Sequence, residues 1–105
     1  MPTKKPVKTT VARSRGAQVK KPAPQAGTVR VAAIQMASGP SVPANLAEAE
    51  RLIELAVEAG ARMIVLPEFF CIMAMKDSYV VKAREAEGHG PIQSFLSRMA
   101  KKHHV

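Results

Sequence analysis

Ala59-Gly60-Ala61-Arg62-Met63-Ile64-Val65-Leu66-Pro67-Glu68 is the stretch whose reading fixes the fold. Met63-Ile64-Val65-Leu66 is a short apolar run closed by a proline, which reads as a strand because four residues are too few for a helix. Gly60 reads as the stop of a preceding helix, since glycine adopts the left-handed conformation that follows a helix end. Working back, Leu46, Ala49, Leu52, Ile53, Ala56 and Val57 recur at three- and four-residue spacings, with Glu48, Glu50, Glu54 and Glu58 on other faces. That pattern is an amphipathic helix. Asn45 with Glu48 three residues later has the form of an N-cap with its reciprocal glutamate, so the helix is predicted to begin at Asn45. Earlier still, Val29-Arg30-Val31-Ala32-Ala33-Ile34-Gln35-Met36 is an apolar, β-branched run closed by Ser38-Gly39-Pro40. It is predicted to be a strand buried on both faces. Strand, helix and strand in this order make a βαβ unit with parallel strands and a right-handed crossover. The fold class is α/β.

Forward from Glu68, the segment from Phe69 to Gly90 is long for a loop in a compact domain and is expected to contain a helix of its own. Asp77 can cap one over about residues 78–87, with Tyr79, Val80 and Ala83 on one face. Gly90-Pro91 opens a further helix, because proline at the first helical position sacrifices no hydrogen bond. Ile92, Phe95, Leu96, Met99 and Ala100 form its apolar stripe, and Lys101, Lys102 and His103 complement the negative end of its dipole.

Charge divides the chain. The 105 residues carry 16 Lys and Arg against 8 Asp and Glu. Lys4, Lys5, Lys8, Arg13, Arg15, Lys20 and Lys21 lie in residues 1–28, where there is no acid and no Phe, Tyr, Trp, Leu or Ile. Without large apolar groups there is too little burial to offset the entropy of ordering, so residues 1–28 are predicted to be a disordered basic tail and 29–105 the folded domain. Such a tail can displace counterions from phosphates. It has no aromatic residue to stack on a base, and no nucleic-acid motif follows it, so a solvated extension is the favoured reading. No apolar stretch approaches the roughly 18 residues that a membrane crossing needs. The basic start has no apolar core behind it, which argues against a secretory signal, and its scattered prolines argue against a mitochondrial presequence. A single cysteine allows no internal disulfide, and the cytoplasm is the expected compartment.

Glu68 is the leading candidate for chemistry. In an open parallel sheet the reactive site lies beyond the carboxyl ends of the strands, and Glu68 stands there, stiffened by Pro67 and followed by Phe69-Phe70. Apolar surroundings would make its anion a stronger proton acceptor, as a general base requires. Cys71, the one thiol, lies in Phe69-Phe70-Cys71-Ile72-Met73, where a free cysteine serves as a small apolar filler. His89 has the setting of a turn residue, and adjacent His103 and His104 point apart on a helix and cannot clasp one metal. No glycine-rich phosphate cradle is present.

Val31-Ala32-Ala33-Ile34-Gln35-Met36, the helix near Asn45, Ala59-Gly60-Ala61 leading to Leu66-Pro67-Glu68-Phe69, and then Gly90-Pro91-Ile92 together resemble the start of a nitrilase-superfamily carbon–nitrogen hydrolase. The likeness runs from about Val29 to the end, and the long segment from Phe70 to Gly90 is most similar to the branch of deaminated-glutathione amidases and omega-amidases. The resemblance implies an α-β-β-α sandwich, of which this chain holds part, and assembly into homo-oligomers. It implies hydrolysis of small amides by a Glu, Lys and Cys set, without metal or cofactor. In that set the glutamate is the base for the thiol, the thiol attacks the amide carbon, and the lysine stabilises the tetrahedral intermediate. Glu68 matches the glutamate. Cys71 does not match the nucleophile, and neither Lys76 nor Lys82 matches the lysine; both partners fall beyond residue 105 in the family's pattern. The 105 residues are therefore expected to be inactive alone and poorly soluble. The competing reading is a non-catalytic basic protein whose tail contacts nucleic acid.

Overall fold

Two parallel strands and three helices make up the computed structural model, which describes Ala23 and residues 25–105. They are β1 (Val31–Ala33), α1 (Val42–Glu58), β2 (Met63–Val65), α2 (Asp77–Lys82) and α3 (Pro91–His103). The tail expected to be disordered lies outside the described residues except for Ala23 and residues 25–28. Within the latter, the Thr28 amide and hydroxyl both donate to the Gln25 carbonyl, closing a turn.

The two strands on either side of α1 pair in parallel, as the sequence predicts. Val31 pairs with Met63, Ala32 with Ile64 and Ala33 with Val65 in parallel register. The ladder extends where Ile34 N–H donates to the Val65 carbonyl at 2.9 Å. Two expectations need correction. The strands are not buried on both faces: Ile34, Met36, Ile64 and Leu66 turn toward the helices, whereas Val31 is 55% exposed, Met63 56% and Val65 47%. An apolar run alone cannot tell a covered face from an uncovered one, because the period-two alternation is masked when both faces are apolar. Nor does α1 begin at Asn45. Ser41 is its N-cap, with its hydroxyl accepting Ala44 N–H, and proline stands in the first turn. Glu48, expected to complete the cap, instead pairs with Arg51 one turn on, at 2.6 Å. That guanidinium holds the Glu48 carboxyl below its ordinary range.

Gly60 ends α1 as expected. It adopts φ 87°, its N–H donates to the Val57 carbonyl, and Ala61 N–H donates to the Ala56 carbonyl. These are the paired bonds of a Schellman closure. Arg30, just ahead of β1, donates to the Ala59 carbonyl at 2.5 Å, bringing positive charge to the helix's negative end.

The core is small. Ala49 and Ile53 of α1 meet Phe95 and Met99 of α3, and Ile34, Met36, Leu46, Val57, Ile64, Leu66 and Phe70 pack around them. Lys102 spans from α3 to Glu54 of α1 at 3.0 Å, an exposed pair worth about 0–1 kcal/mol. The helix expected over 78–87 is shorter and begins earlier, since Asp77 is its first residue rather than its cap. It stops before Glu85 because that residue is recruited to α3.

Candidate active site at the end of β2

The backbone turns sharply after β2. Phe70 N–H donates to the Pro67 carbonyl and Ile72 N–H to the Phe69 carbonyl, so Glu68 lies in a tight double turn. Phe69 stands at φ 57°, a left-handed conformation that costs a non-glycine residue of order 1–3 kcal/mol. Strain of this kind persists only where neighbouring contacts over-determine it, and here they come from the connection between β1 and α1 and from the first turn of α1. Ser38 Oγ donates to the Phe70 carbonyl at 2.8 Å, Asn45 Nδ2 to the Cys71 carbonyl at 2.9 Å, and Met73 N–H to the Gly39 carbonyl at 2.9 Å.

Glu68 lines a concavity of about 410 Å³. The turn contributes Glu68, Phe69, Cys71 and Ile72; α2 and the residues after it contribute Val80, Ala83, Arg84 and Glu85; α3 contributes Ile92 and Gln93. The Glu68 side chain is exposed, so the apolar enclosure expected around it is not formed within these residues. Among the described residues its carboxylate has no hydrogen-bond or ion-pair partner. An unpartnered carboxylate on a stiff strand end can take a proton from a group brought over it.

Glu85 is the second carboxylate of the concavity, and its oxygens are occupied. One accepts Ile92 N–H at 2.5 Å; the other accepts Gln93 N–H at 3.0 Å and Gln93 Nε2 at 3.1 Å. Desolvation raises its pKa, but the three N–H donors outweigh it and hold the carboxyl below its ordinary range. Glu85 therefore caps the orphan amides of α3 from seven residues upstream. Gln93 reciprocates by donating to the carbonyls of Ala86 and His89 and accepting Gly88 N–H, which fastens the wall of the concavity.

The remaining candidates are dispersed. Cys71 is half-buried on the concavity wall rather than sealed in the core. His89 lies in the turn before α3, His104 is that helix's left-handed C-cap, and His103 carries a buried Nε2 without a partner among the described residues. Lys82 lies over the Tyr79 ring at 5.7 Å. No three His, Cys, Asp or Glu side chains among the described residues are grouped to hold a metal ion. Reading the sequence missed Asn45 as an anchor and Glu85 as a cap. The first was hidden by its resemblance to an N-cap. The second had a signal in Gly90-Pro91, a helix start whose glycine supplies no capping side chain.

The chain belongs to the carbon-nitrogen hydrolase family, whose profile matches residues 30–105. The deaminated glutathione amidase of Synechocystis sp. (strain PCC 6803 / GT-S) is 38% identical over 74 residues, covering 70% of this chain and 26% of that protein. The N-carbamoylputrescine amidase of Solanum lycopersicum is 38% identical over 69 residues, covering 61% of this chain and 23% of that protein. The chain thus spans about a quarter of the length of these relatives. No solved structure matches it at comparable stringency. Among the described residues no helix is long and apolar enough to cross a membrane.

Proposed function

We propose that residues 29–105 supply the general base of an amidase acting on small amides, and that this base is Glu68. The observation that carries the reading is the position of Glu68: a carboxylate without a partner among the described residues, beyond the carboxyl end of a parallel strand and on the wall of a concavity large enough for a small molecule. Membership of the family and two amidases among its relatives support the same chemistry.

In this reading Glu68 accepts the proton of an attacking thiol, the thiolate adds to the amide carbon, and the amine leaves with the returned proton. Water then releases the acid from the thioester, again with Glu68 as base. The thiol and the lysine that stabilises the oxyanion belong, in this reading, to sequence outside these 105 residues, because in the family pattern Cys71 does not match the nucleophile and neither Lys76 nor Lys82 matches the lysine. The four-layer sandwich and the homo-oligomer belong to the same proposal, as does inactivity of the 105-residue chain alone.

The test begins with the intact mass of the native polypeptide from its source and a tryptic peptide running through Lys102 past Val105. A longer polypeptide is expected, with amidase activity that Glu68→Gln lowers by about 10²-fold or more. Amide turnover by the 105-residue chain itself, or full activity of Glu68→Gln in the longer one, overturns the proposal.

A further inference from the structure

Asn45 is 6% exposed, inside a helix, and every hydrogen-bonding direction of its amide but one is used. Its Oδ1 accepts Gly39 N–H at 2.9 Å, and its Nδ2 donates to the Gly39 carbonyl at 2.8 Å and to the Cys71 carbonyl at 2.9 Å. The first two bonds tie the β1–α1 connection to the first turn of α1. The third crosses to the turn that carries Glu68. An acceptor and two donors at one point are a demand that asparagine meets and neither aspartate nor serine can.

We propose that Asn45 is the positioning residue for Glu68. With Ser38 it grips the carbonyls of Phe70 and Cys71, and through Gly39 it grips the amide of Met73. These bonds hold Phe69 in its left-handed conformation and so fix the direction in which Glu68 leaves β2. Without them a phenylalanine reverts to the ordinary regions of the backbone map, and the carboxylate swings away from the concavity. The proposal rests on Glu68 being the base only for its purpose; the geometry is testable by itself.

The experiment uses the 105-residue chain at low micromolar concentration, labelled with ¹³C in its glutamate carboxyls, with Glu68→Gln assigning the Glu68 resonance by deleting it. In Asn45→Ala the Glu68 resonance is expected to move and the Met73 amide to exchange about tenfold faster or more, while amides in the middle of α1 keep their protection. At neutral pH Asn45→Asp should also move the Glu68 resonance and speed Met73 exchange, since a carboxylate still accepts Gly39 N–H but donates to neither carbonyl. Below pH ~4 its protonated form regains one donor, and the signals should move toward those of wild type recorded at the same pH. Such acid rescue is foreign to a residue that merely fills space. An unmoved Glu68 resonance with unchanged Met73 exchange in folded Asn45→Ala overturns the proposal. If that variant loses α1 altogether, Asn45→Ser decides in the same way, since one hydroxyl cannot supply an acceptor and two donors: a moved resonance supports the clamp and an unmoved one overturns it. Failure of the base reading is seen separately, as undiminished amidase activity of Glu68→Gln in the longer polypeptide.

Discussion

At the residue scale, Glu85 and Gly90 act as a pair. Gly90 stands at φ 129°, and a Cβ there would fall on the Glu85 carboxyl carbon. Gly90→Ala therefore meets both backbone strain and a clash with the group that caps α3. It is expected to release the Ile92 and Gln93 amides to solvent, read as lost exchange protection in that turn. Acid should do the same reversibly. The Glu85 pKa in the folded chain lies below its ordinary value of 4.5, so its stabilisation is complete above that value and is lost as pH falls through the lowered one. Protection of Ile92 and Gln93, corrected for intrinsic exchange, should fall on acidification below pH 4.5 in wild type and stay flat in Glu85→Gln. Parallel acid slopes for the two would refute the cap. Glu68 was legible in the sequence because a proline and a strand end announce it. Its exposure was not, because burial depends on what covers a residue and not on the residue. Asn45 was misread for a similar reason: Asn-x-x-Glu describes a cap and also an interior asparagine bonded across the fold.

At the element scale, the helices differ in what holds them. The α1 cap is a single long bond of 3.4 Å from Ala44 N–H to the Ser41 hydroxyl, so Ser41→Ala should cost about 0.5 kcal/mol, the low end for a cap. Phe95 is 2% exposed at the centre of the α1–α3 contact, and Phe95→Ala should cost about 3–5 kcal/mol. A core whose central cluster has only four buried members among the described residues cannot lose that much and remain folded. Far-UV circular dichroism of dilute chain should therefore show helicity kept in Ser41→Ala and largely lost in Phe95→Ala. Equal loss in both would mean that α1 stands on its cap rather than on packing. Both helices were legible from their three- and four-residue spacings, which survive because one face of each meets the other. α2 was less so. Its apolar residues are few and Tyr79 is 51% exposed, so tertiary recruitment of Glu85 decides where it ends.

At the scale of the whole molecule, the sheet is open in two senses among the described residues. It has two strands, so each leaves an edge without a partner, and the face away from the helices presents Val31, Met63 and Val65 to solvent. Unpaired edges beside an apolar face are templates for association, so the 105-residue chain is expected to self-associate at concentrations where a closed domain of this size stays monomeric. Val31 and Met63 are direct register partners, so Val31→Glu with Met63→Lys places opposite charges side by side on that face. In the 105-residue chain this pair should raise the soluble concentration severalfold and leave helicity intact, measured by size-exclusion chromatography with light scattering. In the longer polypeptide proposed above the sign reverses. If further layers cover this face, two charges there lose their water, and the same pair should destabilise by several kcal/mol. Opposite outcomes in the short and long chains would show that the apolar face is an internal surface of a larger sandwich. Improved behaviour in both would make it an outer surface, and the proposed architecture would fall with it.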